Sequence, residues 1–158
     1  MGYAKKTALI FALLLFIWFL LDITGLSFGS VTLVVSALKD EPIDLAMLVV
    51  YAVSIGVFIR FERIGKWLLL LVVAFWTFIQ GSMYFTGSFD SYYRLFADEG
   101  THRLFPESQV FLVKDTYHIV LDLLILATLI SVIVFIVPST KRSTRSIRGK
   151  KGNEKTEL

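Results

Sequence analysis

The fold is decided by the stretch TALIFALLLFIWFLLDITGLSFGSVTLVVSAL, residues 7–38, in which Asp22 is the only charged residue. Three further apolar runs come later in the chain, at residues 43–59, 67–89 and 116–140. A membrane-spanning helix needs about 20 mostly apolar residues, with a range of roughly 17–25. The sequence therefore predicts an all-α integral membrane protein built as a four-transmembrane-helix bundle.

The composition excludes several classes of protein. The chain has 158 residues, of which 56% are hydrophobic and 18% are charged, and it contains no cysteine. A soluble domain has about 45–50% apolar and about 25% charged residues. The sequence is therefore incompatible with a soluble globular enzyme, a disordered chain or a disulfide-stapled domain. At this length there is also no room for a separate soluble catalytic domain.

The distribution of basic residues predicts the orientation, because Lys and Arg accumulate in short cytoplasmic loops. If the N-terminus is cytoplasmic, 12 of the 16 basic residues lie on the cytoplasmic side of four spans. The acidic residues of the loops lie mostly on the other side. We therefore predict that both termini are cytoplasmic. The short loops and the absence of N-x-[ST] sites favour a multi-pass protein of a prokaryotic plasma membrane.

The first apolar run is too long for one span and too short for two. Its 32 residues would form a helix of about 48 Å, whereas the hydrocarbon core is about 30 Å thick. We predict a span that breaks near Gly25 and Gly29 and a short extension to residue 38, although residues 27–38 could form a separate segment. The predicted spans are 4–26 with that extension, 42–61, 66–85 and 115–137, with an outer loop at 86–114.

The outer loop and the C-terminal tail have distinct patterns. Phe89, Tyr92, Tyr93 and Phe96 recur at helical spacing, which predicts a short amphipathic helix in the loop between the third and fourth spans. The tail, residues 139–158, is polar and basic, which predicts cytoplasmic disorder. Its basic side chains could contact anionic lipid headgroups or serve only to orient the chain; they are Lys141, Arg142, Arg145, Arg148, Lys150 and Lys151.

Polar residues at membrane depth form the candidate site. A carboxylate inside the bilayer costs several kcal/mol (roughly 2.5–3.5 on insertion scales) unless it is paired, protonated or hydrated. Asp22 and Asp122 fall in the outer halves of the first and fourth spans, with Gln80 at a similar height and His118 above them. These four residues are predicted to bind a ligand or an ion in a polar cup. The alternative is a hydrogen-bonded pair that only holds the bundle together.

Asp115, His118 and Asp122 share one face of the fourth helix, at positions i, i+3 and i+7. With His102 they could bind a divalent metal or exchange protons. The alternative is that Asp115 caps the helix and that His118 lies at the wet interface. The sequence implies no other cofactor.

Three functions are compatible with these patterns. The first is an accessory subunit that binds another membrane protein or lipid, because no catalytic motif is present. The second is an oligomeric channel or cation-coupled transporter that uses Asp22 and Asp122. The third is a membrane enzyme with an Asp/His site at the outer face. Lipid, a membrane-protein partner or a second copy of the chain are the expected partners, and no specific nucleic acid is expected.

Overall fold

The structure is a computed structural model that describes residues 2–36, 42–85, 101–104 and 115–153. Within these ranges, four helices are long and apolar enough to cross a membrane, which confirms that part of the prediction. The elements in chain order are helix α1 (Tyr3–Thr24), strands β1 (Leu26–Phe28) and β2 (Val31–Val34), and helices α2 (Pro42–Arg60), α3 (Glu62–Phe85) and α4 (Thr116–Asn153).

The four helices pack as a ring in which each helix contacts the next and α4 returns to α1. The core face of each helix is a stripe at helical spacing. In α1 this stripe consists of Ala8, Ala12, Leu15, Phe19 and Ile23. The opposite faces are also apolar and exposed, as Ile17, Val53 and Phe78 illustrate. Helices that are apolar on all sides fit an environment in which the outer surface contacts lipid.

The turn between α2 and α3 is a sharp corner in which only Phe61 separates the two helices. The amide of Phe61 donates to Val57 O at 2.7 Å, and the amide of Gly65 donates to Phe61 O at 2.8 Å. A Cβ atom on Gly65 would overlap backbone atoms of Val57 and Phe58. The corner therefore depends on the absence of a side chain at position 65.

Residues 26–34 form an antiparallel β-hairpin, which matches the alternative of a separate segment rather than an extension of the first span to residue 38. The helix ends at Thr24, and Gly25 comes next with φ +74°. Glycine adopts this conformation without steric cost, so it is a common helix terminator. The β-branched residues Val31, Thr32 and Val34 favour a strand. The bundle is thus all-helical in its spans but carries a hairpin at one end.

The end of the fourth helix also differs from the prediction. We expected the helix to end at residue 137 and residues 139–158 to be disordered, but α4 continues past Pro138 to Asn153. Proline removes one backbone hydrogen bond, whereas the Lys and Arg residues after it have favourable helix propensities. The predicted amphipathic helix around residues 89–96 lies outside the described residues.

Candidate functional site

The hairpin is tied to the start of α4 by residues 101–104. Thr101 forms a parallel bridge with Thr32, and the amide of His102 donates to Thr32 O at 2.8 Å. The amide of Thr116 in turn donates to His102 O at 2.9 Å, and His102 Nδ1 hydrogen-bonds with Thr116 Oγ1 at 2.8 Å. We call residues 25–36, 101–104 and 115–118 the hairpin cap. It lies at one end of the bundle.

Asp115 is the N-cap of α4 within this hairpin cap. Its side chain is almost completely buried, and Oδ1 accepts a hydrogen bond from the His118 amide at 2.8 Å. The ring nitrogen Nδ1 of His118 lies 2.8 Å from the same oxygen, so this nitrogen carries the shared hydrogen. A negative charge at a helix N-terminus is favourable, because the unpaired amides of the first turn are positively polarised. The geometry matches the capping interpretation of Asp115.

We expect Asp115→Ala to destabilise the protein by about 1–2 kcal/mol, since it removes the cap and leaves both His118 donors without this acceptor. Asp115→Asn retains an oxygen at the same place and should cost less than half as much. Thermal unfolding in mild detergent measures both losses. Equal destabilisation by the two substitutions would show that the hydrogen bonds to Oδ1 do not account for the stability that Asp115 contributes.

A reciprocal aromatic contact joins α1 to α4 at the hairpin cap. The indole Nε1 of Trp18 donates to Tyr117 O at 3.1 Å, and the hydroxyl of Tyr117 donates to Trp18 O at 3.3 Å. The two rings stack with centroids 5.6 Å apart and planes 10° apart. This pair was not predicted from the sequence. The sequence does contain an indication of such a contact, because a buried Trp or Tyr needs a hydrogen-bond partner for its polar atom.

Tyr117 is also where the acidic residues of three helix ends converge. Asp22 of α1, Asp44 of α2 and Asp115 all interact electrostatically with Tyr117. The structure therefore places Asp22, Asp44 and Asp115 in one region near Tyr117. Asp22 is half-buried at this position.

The other predicted ligand residues are half-buried side chains that already have interaction partners. Gln80 lies in α3, and His118 and Asp122 lie in α4. One oxygen of Asp122, Oδ1, is buried and accepts no hydrogen bond, while the residue makes an interaction elsewhere in the chain. The structure thus accommodates these polar groups largely within the chain itself.

The predicted metal ligands are not assembled into a metal site. In the described ranges, no three His, Asp or Glu side chains are grouped so that they could hold a metal ion. Nδ1 of His118 is bound to Asp115, and Nδ1 of His102 is bound to Thr116. The structure therefore does not bring together Asp115, His118, Asp122 and His102 around a common centre.

Buried aromatic side chains fill the middle of the bundle. The ring of Trp76 packs against Phe19 at 4.4 Å and against Tyr51 at 5.8 Å between centroids. The Tyr51 hydroxyl donates to Ala12 O at 3.0 Å, which links α2 to α1. Nearby buried hydroxyls, such as that of Ser54, donate to the backbone of their own helices. The described core therefore has a packed centre below the polar groups near the hairpin cap.

The opposite end of the bundle is held by an ion pair. Lys5 Nζ of α1 lies 2.8 Å from Glu62 Oε2 of α3, and it also lies over the Phe58 ring at 5.5 Å from the centroid. Partly exposed ion pairs contribute little, with a median of about 0–1 kcal/mol. This contact positions the start of α1 next to the α2–α3 corner.

Comparison of the chain with protein-family models, with curated proteins and with solved structures finds no match. The function is therefore inferred from the fold and its residues.

Apolar side chains lie on the outside of the hairpin cap. Phe28 is 64% exposed and Val31 is 41% exposed, and these two residues are paired across the turn at Gly29. Val35 and Leu104 are also exposed. Exposed apolar surface at a fixed position is typical of a site that contacts a protein or a membrane. The hairpin tip, Phe28 and Val31, is therefore the most distinctive surface of the cap.

Proposed function

We propose that this chain is an accessory subunit of the plasma membrane and that it binds a second membrane protein through the hairpin tip. The observation that carries the proposal is the pair of exposed apolar side chains, Phe28 and Val31, at the end of a hairpin. Aromatic residues, Phe among them, are enriched in the buried cores of protein interfaces. Phe28 is such a residue, and Val31 extends the apolar surface beside it.

The hairpin is held in place before any partner binds. Ser27 Oγ donates to Thr32 Oγ1 at 3.1 Å across the two strands, and Ser36 Oγ donates to Ile23 O at 2.6 Å. His102 adds the backbone bond to Thr32 on the other side of β2. A fixed segment loses less conformational entropy on binding than a loose loop does. Pre-organisation therefore supports a binding role for the tip.

The charge distribution supports the proposed orientation. Lys5, Arg60, Arg63 and Lys66 all lie at the end of the bundle opposite the hairpin cap. By the bias of basic residues toward the cytoplasm, that end is cytoplasmic and the cap is extracytoplasmic. The partner would then contact the chain at the outer surface of the membrane.

The transporter and the enzyme have less support. A transport path through one chain would have to cross the layer formed by Phe19, Tyr51 and Trp76, which are buried and packed against one another. A membrane enzyme with an outer-face site would use a metal or acid–base group from Asp115 and His118, and these two residues are bound to each other in a helix cap. Neither the packed aromatic layer nor the helix cap favours transport or catalysis over the binding of a partner protein.

We expect the double substitution Phe28→Ser, Val31→Ser to reduce recovery of a co-purifying membrane subunit at least tenfold, about 1.4 kcal/mol, since both apolar anchors are lost. The measurement is affinity purification of the tagged chain from its own membrane in mild detergent, followed by native mass spectrometry.

The matched control for this experiment is Phe61→Ser. Phe61 is 57% exposed, close to the value for Phe28, but it lies at the other end of the bundle. The control should recover the subunit as the wild-type chain does. A wild-type chain that purifies with no stoichiometric subunit, or a double variant that keeps one, would refute the proposal.

A further inference from the structure

A second surface of the molecule lies at the end of the bundle opposite the hairpin cap, on the outward side of α3. Arg63 and Trp67 are four residues apart and therefore lie on the same side of this helix, with Lys66 next to both. Arg63 and Trp67 are exposed, whereas Gly65 and Leu69, on the other side, are buried in the bundle. We call Arg63, Lys66 and Trp67 the basic face of α3. It plays no part in the function proposed above.

The basic face lies in a region with an excess of positive charge. In the described part of the chain, the basic residues at this end are Lys5, Lys6, Arg60, Arg63 and Lys66, and the only acidic residue there is Glu62. The carboxylate of Glu62 is already bound to Lys5, at 2.8 Å. No carboxylate of the described residues forms an ion pair with Arg63. The guanidinium of Arg63 is therefore available to an anion from outside the chain.

Trp67 adds an amphipathic ring directly below this charge. The ammonium of Lys66 lies 5.7 Å from the centroid of the Trp67 ring, and the Trp67 side chain is 49% exposed. Unlike that of Trp18, the indole N–H of Trp67 has no acceptor among the described residues. Exposed Trp residues at the end of a span lie at the level of the lipid headgroups. Arg63 is about 6 Å further toward the water, at 1.5 Å per residue.

The same side of α3 becomes apolar toward the middle of the membrane. Leu71 and Phe78 follow Trp67 by four and eleven residues, which places them on its side of the helix, and they are 67% and 73% exposed. The order along this side is thus a positive charge, an indole N–H and then hydrocarbon. A phospholipid has the complementary order, namely phosphate, ester carbonyl groups and acyl chains. A soluble anion would match only the charge, and a transmembrane helix only the apolar part.

We propose that the basic face of α3 binds an anionic phospholipid, whose phosphate is held by Arg63 and Lys66 and whose ester groups lie against Trp67. A guanidinium can donate two parallel hydrogen bonds to a phosphate, which favours Arg63 as the main contact. The proposal rests on the location of the chain in a membrane. It does not depend on the partner of the hairpin tip.

The test is native mass spectrometry of the full chain in mild detergent with palmitoyl-oleoyl phosphatidylglycerol or phosphatidylcholine. The wild-type chain should retain phosphatidylglycerol in preference to phosphatidylcholine. Arg63→Gln should reduce this preference about fivefold, the factor that corresponds to the roughly 1 kcal/mol contributed by one basic residue near the membrane surface. The double substitution Arg63→Gln, Lys66→Gln should abolish the preference.

The matched control is Lys6→Gln, which removes the same charge from an exposed residue of α1 at the same end of the bundle. It should keep the preference of the wild-type chain. Excess inorganic phosphate should not displace phosphatidylglycerol, because a free ion makes no contact with the apolar part of the face. Unfolding temperatures verify that all variants are folded. Equal retention of both lipids by the wild type, displacement by phosphate, or the same loss in Lys6→Gln as in Arg63→Gln would overturn the proposal.

Discussion

Gly65→Ala should destabilise the protein by at least about 3 kcal/mol, the upper part of the range for overpacked sites. The added methyl group would overlap backbone atoms of Val57 and Phe58, in the preceding helix. A flexible side chain can move aside, but the backbone of a helix cannot move without separating α2 from α3. Thermal unfolding in mild detergent, followed by circular dichroism, measures the loss.

Gly56→Ala is the matched control, because Gly56 lies within α2 and a Cβ atom there would have no neighbour within 4 Å. Alanine is favoured over glycine in a helix by about 1 kcal/mol, so this variant should unfold at the wild-type temperature or above it. If the two alanine variants unfold alike, then the α2–α3 corner has room for a side chain at position 65.

Tyr117→Ala should cost about 3–5 kcal/mol, the range for removing a large aromatic side chain from a core. The substitution removes a side chain that is 1% exposed, together with the stacked ring contact and the hydrogen bond to Trp18 O. The contact between α1 and α4 should weaken most. Unfolding in detergent measures the total loss, and Trp fluorescence reports the environment of Trp18.

Two further variants separate the parts of this effect. Leu123→Ala, on the exposed side of the same helix, should change the unfolding free energy only slightly in detergent, because Leu123 is 63% exposed. Tyr117→Phe retains the ring and should lose about 1 kcal/mol, the contribution of one hydrogen bond. A Tyr117→Ala variant as stable as Leu123→Ala would show that the aromatic pair does not hold α1 to α4.

The four apolar helices were predictable because three of the apolar runs are close to the length that a span requires, and the first run contains such a length before its glycines. The hairpin was not, because a short run such as VTLVVSAL, residues 31–38, has no periodicity that separates a strand from a helix. The glycines at 25 and 29 indicated a break, and their positive φ angles show why the helix ends there. The position of the break was therefore predictable, whereas the strand structure of residues 31–34 was not.

The candidate site was only partly predictable for a different reason. Asp115 and His118 are three residues apart, so their contact follows from helix geometry alone. The partner of Tyr117 is Trp18, 99 residues away in the chain, and no local pattern pairs them. Asp44 joins the acidic residues near Tyr117 for the same reason. Contacts between helices depend on the rotation of each helix, which the sequence of a uniformly apolar span does not specify.

The contact between Trp18 and Tyr117 also has a consequence for biogenesis. After Trp18, 99 further residues must be synthesised before its partner, Tyr117, is part of the chain. At about 5–20 residues per second, this delay is roughly 5–20 s. During that time, the indole N–H of Trp18 lacks its Tyr117 acceptor, while α2 and α3 can already pair across their short corner. The interface between α1 and α4 is therefore the last helix–helix contact of the bundle to form.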